Sequence, residues 1–372
     1  MIKIAIVADL PVWAARPEPV PPTSAWHYCV WLAALRKLLD NQNDYHVHWI
    51  IPDKSIKERT IIETRVQTFH IIPKARLTLG LYSGYAYDVY HIIKELKRIS
   101  PDLVHSWGTE NSHSLAACHY EGKKLLSIQG LLTAYAQRAR LARFERYQAF
   151  YEPYTIRRFN HVTTESPWAE RRVREISDSP IFHHLEYAVE DRFFNQERVL
   201  SNTPICLYAG TNAPVKNIST LVRAFRAPKL SHIQLYLAGI RPEQLSDYPE
   251  NVTPLGPVSR DGIVQLLSKA WCLVHPSLAD TGPTIAKEAR VMGLPVMLTT
   301  ACGSMQHIEH GKSGFIVEPD DVAGMQNSIL QMTADAQTSL NMGAHGQQEC
   351  RTKLSSDTMM TRLLEIYSNI LN

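Results

Sequence analysis

Short apolar runs alternate along this chain with stretches whose apolar residues recur at helical spacing. The runs are rich in β-branched residues and too short for most helices, which is typical of buried strands. They lie at 2–8, 46–51, once within 61–72, once within 102–109, and at 125–132, 160–166, 182–188, 205–209, 233–238, 252–258 and 271–275. Helical spacing follows at 24–39, 87–98, 219–225, 260–269 and 358–370. Because strands and helices alternate in both halves, the pattern predicts an α/β fold with parallel sheets.

Residues 271–297 show this pattern most fully, as strand, polar loop, helix and strand. An apolar run at 271–275 is followed by a polar loop at 276–284 and a helical pattern at 285–292. Gly293 then stands where a helix C-terminal glycine is expected, and the next apolar run starts at Pro295. In open α/β sheets, ligands bind at the carboxyl ends of the strands, where the 276–284 loop would lie.

Asp280 and Glu288 stand on either side of the predicted start of that helix. The loop offers backbone amides at Gly282 and Thr284, and Pro283 suits a first-turn position because it has no amide to leave unpaired. A helix N-terminus binds phosphate, and a carboxylate accepts hydrogen bonds from sugar hydroxyls. The same spacing also fits a structural interpretation, in which Asp280 caps the helix and Glu288 is solvated.

The motif P-S-x-x-D-x-x-P-x-x-x-x-E-A-x-x-x-G-x-P-V over 276–296 resembles the acidic E-x7-E region of the family 4 retaining glycosyltransferases of GT-B fold. Here Asp280 replaces the first glutamate of the family. The loop 210–217 resembles the family's G-R-x-x-x-x-K-G, whose arginine and lysine hold the donor diphosphate. Lys216 matches that lysine, whereas Thr211 replaces the arginine. Taken alone, Lys216 would be interpreted as a surface lysine.

Further segments extend the resemblance over most of the chain. The segment 252–258, which ends at Val258, resembles the family's V-x-x-L-G-x-V. In the family, this segment lies near the nucleobase. The segment 102–109 resembles P-D-[VI]-[VI]-H-x-H-G, in which His105 matches the first histidine and Trp107 replaces the second. A histidine at the end of a buried strand also fits a structural role. The segments 187–194 and 311–317 resemble the family's interdomain linker and its G-x-x-G-[FL]-[LV] strand.

The resemblance implies a GT-B architecture, with two Rossmann-like domains facing each other across a cleft. We expect an N-terminal acceptor-side domain at 1–187 and a nucleotide-sugar-binding domain at 188–355, with a C-terminal helix at 356–372 packing back on the first. The implied reaction moves a sugar from a nucleotide-sugar donor to a hydroxyl of a glycan, glycolipid or polysaccharide precursor. It proceeds with retention of configuration and needs no cofactor or metal.

The resemblance also assigns roles to single residues. Lys216 and the amides of Gly282 and Thr284, beside Pro283, would stabilise the leaving diphosphate. Glu288 would hold the ribose, and Asp280 a hydroxyl of the transferred sugar. His105 completes the catalytic set, and Thr211 and Val258 complete the donor site. Ser24, behind the proline-rich segment 9–22, is either a helix N-cap or an acceptor contact.

A basic segment at 137–158 carries six arginines against two glutamates, with Phe144, Tyr147, Phe150, Tyr151 and Tyr154 between them. Either a peripheral contact with an anionic membrane or lipid-linked acceptor, or an ordinary helix with a solvated basic face, fits this pattern. RNA would also suit it, but a net charge of +3 is small, and we expect no nucleic-acid partner.

Composition bounds the remaining possibilities. With 372 residues and 45% hydrophobic content, the chain suits two globular domains. No apolar run reaches the roughly 18 residues of a membrane span, and no signal-peptide pattern follows the first strand. We therefore expect a cytoplasmic protein, which would lie on the inner face of the membrane if the 137–158 segment makes the peripheral contact. Six scattered cysteines without a C-x-x-C pair predict free thiols.

Two other classes of function remain open. Thr211 and Trp107 suit a non-catalytic homologue that acts as a binding subunit. A sugar-nucleotide epimerase could share the fold, although the further acids that it would need are not found in the motifs.

Overall fold

The computed structural model describes residues 1–16 and 30–372 and divides into two compact units. The first unit comprises Met1–Gln137, Leu141–Tyr187 and Met359–Asn372. The second comprises Arg138–Arg140 and Ala188–Thr358. Ser24, with its two interpretations, and residues 17–22 of the proline-rich segment lie outside the described residues.

The first unit is built on an eight-stranded sheet of order β3-β4-β2-β1-β5-β6-β7-β8. Its strands are β1 Ile2–Val7, β2 Tyr45–Asp53, β3 Thr60–Glu63, β4 Gln67–Pro73, β5 Leu103–Trp107, β6 Lys123–Ser127, β7 His161–Thr164 and β8 Ile181–His184. All neighbours pair in parallel except β3 and β4, which pair antiparallel. The single strand expected within 61–72 is therefore two strands, because residues 64–66 turn the chain back on itself.

Helices connect the strands of the first unit. They are α1 Val30–Leu39, α2 Leu77–Tyr82, α3 Ala86–Ile99, α4 Ser112–Ala117, α5 Leu132–Ala136, α6 Arg143–Ile156 and α7 Pro167–Arg174. Buried Glu152 on α6 caps α5, since its carboxylate accepts the amides of Leu132 at 3.0 Å and Thr133 at 2.7 Å. These two hydrogen bonds satisfy first-turn amides that no helix carbonyl can reach.

The second unit is built on a six-stranded, wholly parallel sheet of order β11-β10-β9-β12-β13-β14. Its strands are β9 Ile205–Ala209, β10 Gln234–Ala238, β11 Val252–Gly256, β12 Cys272–His275, β13 Val296–Thr299 and β14 Gly314–Val317. Its helices are α8 Ile218–Phe225, α9 Arg260–Lys269, α10 Thr284–Val291, α11 Val322–Met332, α12 Ala336–Ala344 and α13 Gln347–Lys353. A final helix, α14 Ser356–Leu371, belongs to the first unit from Met359 onward.

Strand β9 shows why this sheet is buried on both faces. Leu207 and Ala209 pack in one hydrophobic cluster, whereas Cys206 and Tyr208 pack in the cluster on the other face. A parallel strand covered on both sides needs apolar residues at every position rather than at alternate ones. The continuous apolar runs therefore correctly predicted these strands. The predicted α/β class with parallel sheets is confirmed.

Two further observations concern the helices and the cysteines. In the described ranges, no helix combines the length and apolar character needed to cross a bilayer. The cysteines at 118, 206, 272, 302 and 350 are free and buried.

Gly239, directly after β10, permits a close approach of two loops. Its φ is +91°, and an added Cβ would lie 2.2 Å from the Gly210 carbonyl oxygen, much closer than van der Waals contact allows. We expect Gly239→Ala to lower the free energy of unfolding by about 3 kcal/mol, combining left-handed strain and overpacking. Urea unfolding measures it. Gly311→Ala is the matched control, because Gly311 has φ +79° but no atom within 4 Å of the added Cβ. It should cost only about 1 kcal/mol; equal losses would contradict the steric argument.

Candidate active site

The predicted site residues of the second unit gather at one edge of its sheet. Thr211 and Lys216 follow β9, Val258 follows β11, and the loop with Asp280 follows β12. The strands are parallel, so their carboxyl ends meet at this edge. Helix α10, which carries Glu288, leaves the same edge.

Lys216 ends a short 3₁₀ turn, Pro214–Lys216, that is fixed from both sides. Asn217 follows with φ 58°, and its side-chain amide donates to the carbonyls of Pro276 at 3.2 Å and Pro319 at 2.9 Å. The amide of Leu278 donates to the carbonyl of Val215 at 2.8 Å. These bonds hold the lysine loop against the loop that follows β12.

Asp280 is the centre of a buried charged cluster in that second loop. Its Oδ2 lies 2.5 Å from Lys216 Nζ and 3.1 Å from His275 Nε2. The Asp280 side chain is 7% exposed, and that of Lys216 is 24% exposed. The backbone is fixed as well, because Asp280 N donates to Ala301 O at 3.0 Å and Gly303 N donates to Asp280 O at 2.8 Å. The shorter aspartate arm therefore lies in a defined position.

The cluster keeps Asp280 ionised. Burial by itself raises the pKa of Asp280, but the Lys216 charge and the hydrogen bond from His275 outweigh burial and hold the pKa well below its usual range. His275 is fully buried, and burial lowers its pKa despite the opposing effect of Asp280. Near neutral pH the cluster is thus an ion pair with a neutral imidazole that donates from Nε2. The structural interpretation required Asp280 to cap α10, and Asp280 does not do so.

Glu288 lies in the middle of α10 and is buried rather than solvated. Its Oε1 accepts Arg260 Nη2 at 2.5 Å, with the glutamate 1% and the arginine 21% exposed. Arg260, the first residue of α9, also binds Glu190 at 2.7 Å and lies over the Phe193 ring, 5.0 Å from its centroid. One guanidinium thus joins two carboxylates that are distant in sequence.

This second network leaves Glu288 easier to protonate than an ordinary glutamate. Burial raises the pKa of Glu288, and the nearby Glu190 charge adds to that effect. Arg260 opposes both but does not cancel them. Arg260 therefore keeps a charged carboxylate in a place that burial alone would disfavour.

The start of α10 differs in detail from its prediction. The helix begins at Thr284, so Pro283 is the residue before the first turn rather than within it. The amide expected to be available at Gly282 instead donates to Asp280 Oδ1, at a long 3.3 Å. Thr284 is exposed, and its amide belongs to the first-turn groups that no helix carbonyl accepts.

Thr211 and Val258 lie in the loops that follow β9 and β11 at the same edge of the sheet. Thr211 is exposed, and its carbonyl accepts the Tyr208 hydroxyl at 2.9 Å. Val258 is half-buried and packs against the core of the unit. Their roles in donor binding stay predictions.

His105 lies in the first unit, at the centre of β5, and is fully buried. Its Nδ1 lies 2.7 Å from the Tyr367 hydroxyl and its Nε2 lies 2.7 Å from Ser127 Oγ. Burial lowers its pKa to about 3. Trp107 packs beside it with ring centroids 4.4 Å apart. Both ring nitrogens are engaged, which is the arrangement that the structural interpretation of His105 expects.

Three residues of these networks were missed at the level of sequence. His275 ends β12 five positions before Asp280, and a polar residue at a strand end next to a candidate loop was an available signal. Glu190 stands in the segment that resembles the interdomain linker. For Arg260 no spacing signal existed, because only the tertiary fold brings α9 beside α10. Among the described residues, no group of three or more His, Cys, Asp or Glu side chains could hold a metal ion.

Comparison with solved structures identifies the fold. The chain is similar to sucrose-phosphate synthase from Thermosynechococcus elongatus, with a TM-score of 0.78 at 19% identity over 100% of this chain and 99% of that one. It is also similar to HepE from Anabaena in complex with UDP and glucose, with a TM-score of 0.70 at 14% identity over 99% of this chain and 100% of that one. The fold is that of the GT-B glycosyltransferases, and the predicted fold class is confirmed.

Sequence comparison then gives the family of the second unit. Residues 189–349 match the family Glycosyl transferases group 1. N-acetyl-alpha-D-glucosaminyl L-malate synthase from Bacillus anthracis is 23% identical over 177 residues, which cover 45% of this chain and 46% of that protein. The match thus spans about half the length of this curated relative. The chain carries a glycosyl transferases group 1 domain, as its motifs predicted.

Arg260→Ala tests the charge balance around Glu288. It leaves two carboxylates without their shared cation, so we expect a loss of about 3 kcal/mol in the free energy of unfolding at pH 8. The pKa of folded Glu288, already raised, rises further in this variant. A raised folded pKa favours folding at low pH and loses that effect as pH increases, so the loss should be smaller at pH 5. Urea unfolding at both pH values measures the difference.

The matched control is Arg192→Ala. Arg192 binds the same Glu190 at 2.7 Å but is 40% exposed, so its loss should cost under about 1 kcal/mol. If the Arg260→Ala loss were the same at both pH values, lost packing on Phe193 rather than charge would be the cause.

Proposed function

We propose that this chain transfers a sugar from a nucleotide-sugar donor to a hydroxyl of a glycan, glycolipid or polysaccharide precursor, with retention of configuration. The observation that carries the proposal is the Lys216–Asp280–His275 cluster at the carboxyl edge of a sheet in a glycosyl transferases group 1 domain. A fixed cation, helix amides and two buried carboxylates at one edge suit a phosphate group linked to sugars.

Lys216 is proposed to stabilise the diphosphate as it leaves. An ammonium has three donor hydrogens, and among the described residues Lys216 directs one of them to Asp280. The remaining hydrogens are available to phosphate oxygens. The ion pair also limits the motion of a long side chain, so less conformational entropy is lost when the donor binds.

Glu288 and Asp280 are proposed to bind hydroxyl groups of the donor. Glu288 would accept from the ribose, with Arg260 holding the carboxylate in place. Asp280 would accept from the transferred sugar. Both Asp280 oxygens already accept bonds within the protein, so Lys216 shifting toward the diphosphate would make room for the sugar hydroxyl.

The proposed reaction requires no resident cofactor and no metal. Lys216 and the first-turn amides of α10 supply positive charge where negative charge develops. Retention follows from the family resemblance, and the anomeric configuration of the product, read by NMR, tests it. HepE, a structural neighbour, was solved with UDP and glucose, which makes a UDP-sugar the first donor to test.

Nucleotide binding tests the donor site directly. We expect wild-type protein to bind one of UDP, GDP, ADP or CMP in calorimetry. Lys216→Ala should weaken that binding about tenfold or more, because one charge-assisted hydrogen bond is lost. Glu288→Gln should weaken binding of the nucleotide and of its nucleoside alike, whereas Lys216→Ala should spare the nucleoside.

Lys229→Ala serves as the control, since Lys229 is an exposed lysine that binds Asn327 at 3.2 Å, away from these loops. It should bind like wild type. Absence of binding to every nucleotide by folded wild-type protein would contradict the proposal and favour a non-catalytic binding subunit. Sugar transfer that persists undiminished in Lys216→Ala would contradict the role of the lysine.

We also propose that the first unit contacts an anionic membrane surface, as part of a cytoplasmic protein on the inner face of the membrane. On α6, Phe150 is 76% exposed, and Phe144 and Tyr154 are also exposed. The neighbouring α2–α3 segment packs on α6 through Tyr85, whose hydroxyl accepts from Gln148 at 3.0 Å. That segment adds further exposed residues: Leu79, Tyr82, Tyr87 and Tyr90. Aromatic side chains among arginines suit the interface of an anionic bilayer.

Phe150→Ser tests this contact by co-sedimentation with vesicles. Wild type should bind vesicles that contain anionic phosphatidylglycerol more than neutral phosphatidylcholine vesicles, and less as salt is raised. Phe150→Ser should reduce binding several-fold without changing stability, because the side chain is exposed. Ile181→Ser is the control, since Ile181 is 58% exposed on β8. Equal binding by Phe150→Ser and wild type would support the solvated helix instead.

A further inference from the structure

The anion site that the sequence describes lacks one of its two cations, because Thr211 stands where the family resemblance expects an arginine. The fold places another arginine in the neighbouring loop. Arg241 follows β10, and β10 pairs in parallel with β9, which leads into Thr211 and Lys216. Adjacent strands lie about 4.8 Å apart, so the loops after them are direct neighbours.

Backbone contacts fix these two loops together. The amide of Gly210 donates to the carbonyl of Ala238 at 3.0 Å, and Gly239 lies so close to Gly210 that a Cβ would collide with it. Further along, Asn212 Nδ2 donates to the carbonyl of Gln244 at 3.0 Å. The segments 210–212 and 239–244 therefore form one surface, on the side of β9 opposite to Asp280.

The Arg241 backbone is held while its charged group remains available. Its amide donates to Gln244 Oε1 at 2.8 Å, and its carbonyl accepts the Gln244 amide at 3.0 Å. The residue is exposed, and its guanidinium makes no ion pair or hydrogen bond with any residue that the structure describes. Arg260 lies at the same edge, but its guanidinium is already paired with the carboxylates of Glu190 and Glu288.

We propose that Arg241 is the second cation of the donor site and binds the diphosphate of a nucleoside diphosphate in place of the arginine missing at position 211. Lys216 and Arg241 would then approach the diphosphate from the two sides of β9. A planar guanidinium suits this task because it can donate two parallel hydrogen bonds to one phosphate. The assignment rests on the proposed function, since it specifies a contact within the same donor site.

Calorimetric titration of UDP, with GDP and ADP in parallel and uridine as the uncharged probe, tests the assignment. We expect Arg241→Ala to weaken UDP binding about tenfold or more and to leave uridine binding unchanged. Arg241→Lys should lie between Arg241→Ala and wild type, because it keeps the charge without the planar fork.

The double variant Thr211→Arg/Arg241→Ala gives the sharpest comparison. If the two positions serve the same phosphate group, an arginine at 211 should restore most of the binding lost in Arg241→Ala. Arg223→Ala is the matched control, because Arg223 is an exposed arginine in the last turn of α8, which runs back toward the opposite edge of the sheet. It should bind UDP as wild type does.

Three results would overturn the assignment. If Arg241→Ala binds UDP like wild type while Lys216→Ala does not, Arg241 is no part of the site, although the donor site itself stands. If Arg241→Ala loses UDP and uridine equally, the arginine does not act through the phosphates. If folded wild-type protein binds no nucleoside diphosphate, the proposed function fails together with the assignment.

Discussion

The ion pair between Lys216 and Asp280 is the interaction on which the arrangement of the second unit's site depends. It joins the loop after β9 to the loop after β12, which are far apart in sequence but adjacent in the sheet. Around it, the Asn217 side chain and the Leu278 amide bind the same two loops through backbone carbonyls. A buried pair of this kind needs several good partners to offset desolvation, and Asp280 has them in Lys216, His275 and the Gly282 amide.

The second charged network shows the opposite balance. Asp280 is held ionised with its pKa below the usual range, whereas the pKa of Glu288 is raised. The difference arises because Asp280 faces a dedicated lysine, while Glu288 shares one arginine with Glu190. Two carboxylates at one edge of the same sheet thus have different proton affinities, and their surroundings rather than their residue types cause the difference.

The departures from the family pattern have structural surroundings that fit them. Trp107 is buried between His105 and Tyr187, at ring-centroid distances of 4.4 and 5.3 Å, so it fills space in the first unit where the family pattern has a second histidine. Asp280, one methylene shorter than glutamate, is met by Lys216 at 2.5 Å. Thr211 lies beside the loop that presents Arg241.

The sequence by itself determined the α/β class and most elements of both sheets, because a buried parallel strand needs a continuous apolar run and its helix needs an apolar stripe. Residues 205–209 and 260–269 coincide with β9 and α9. The sequence also predicted the residues of the 216 and 280–288 loops as one site, since their motifs are local, and the structure brings Lys216 and Asp280 together. It did not reveal the antiparallel pairing of β3 with β4, the burial of Glu288 or the hydrogen bonds that engage both His105 nitrogens. Only the tertiary structure decided the partners: Arg260 for Glu288, His275 for Asp280 and Tyr367 for His105. These contacts join segments or orient side chains through the packing of whole elements, and local sequence patterns carry no information about that packing.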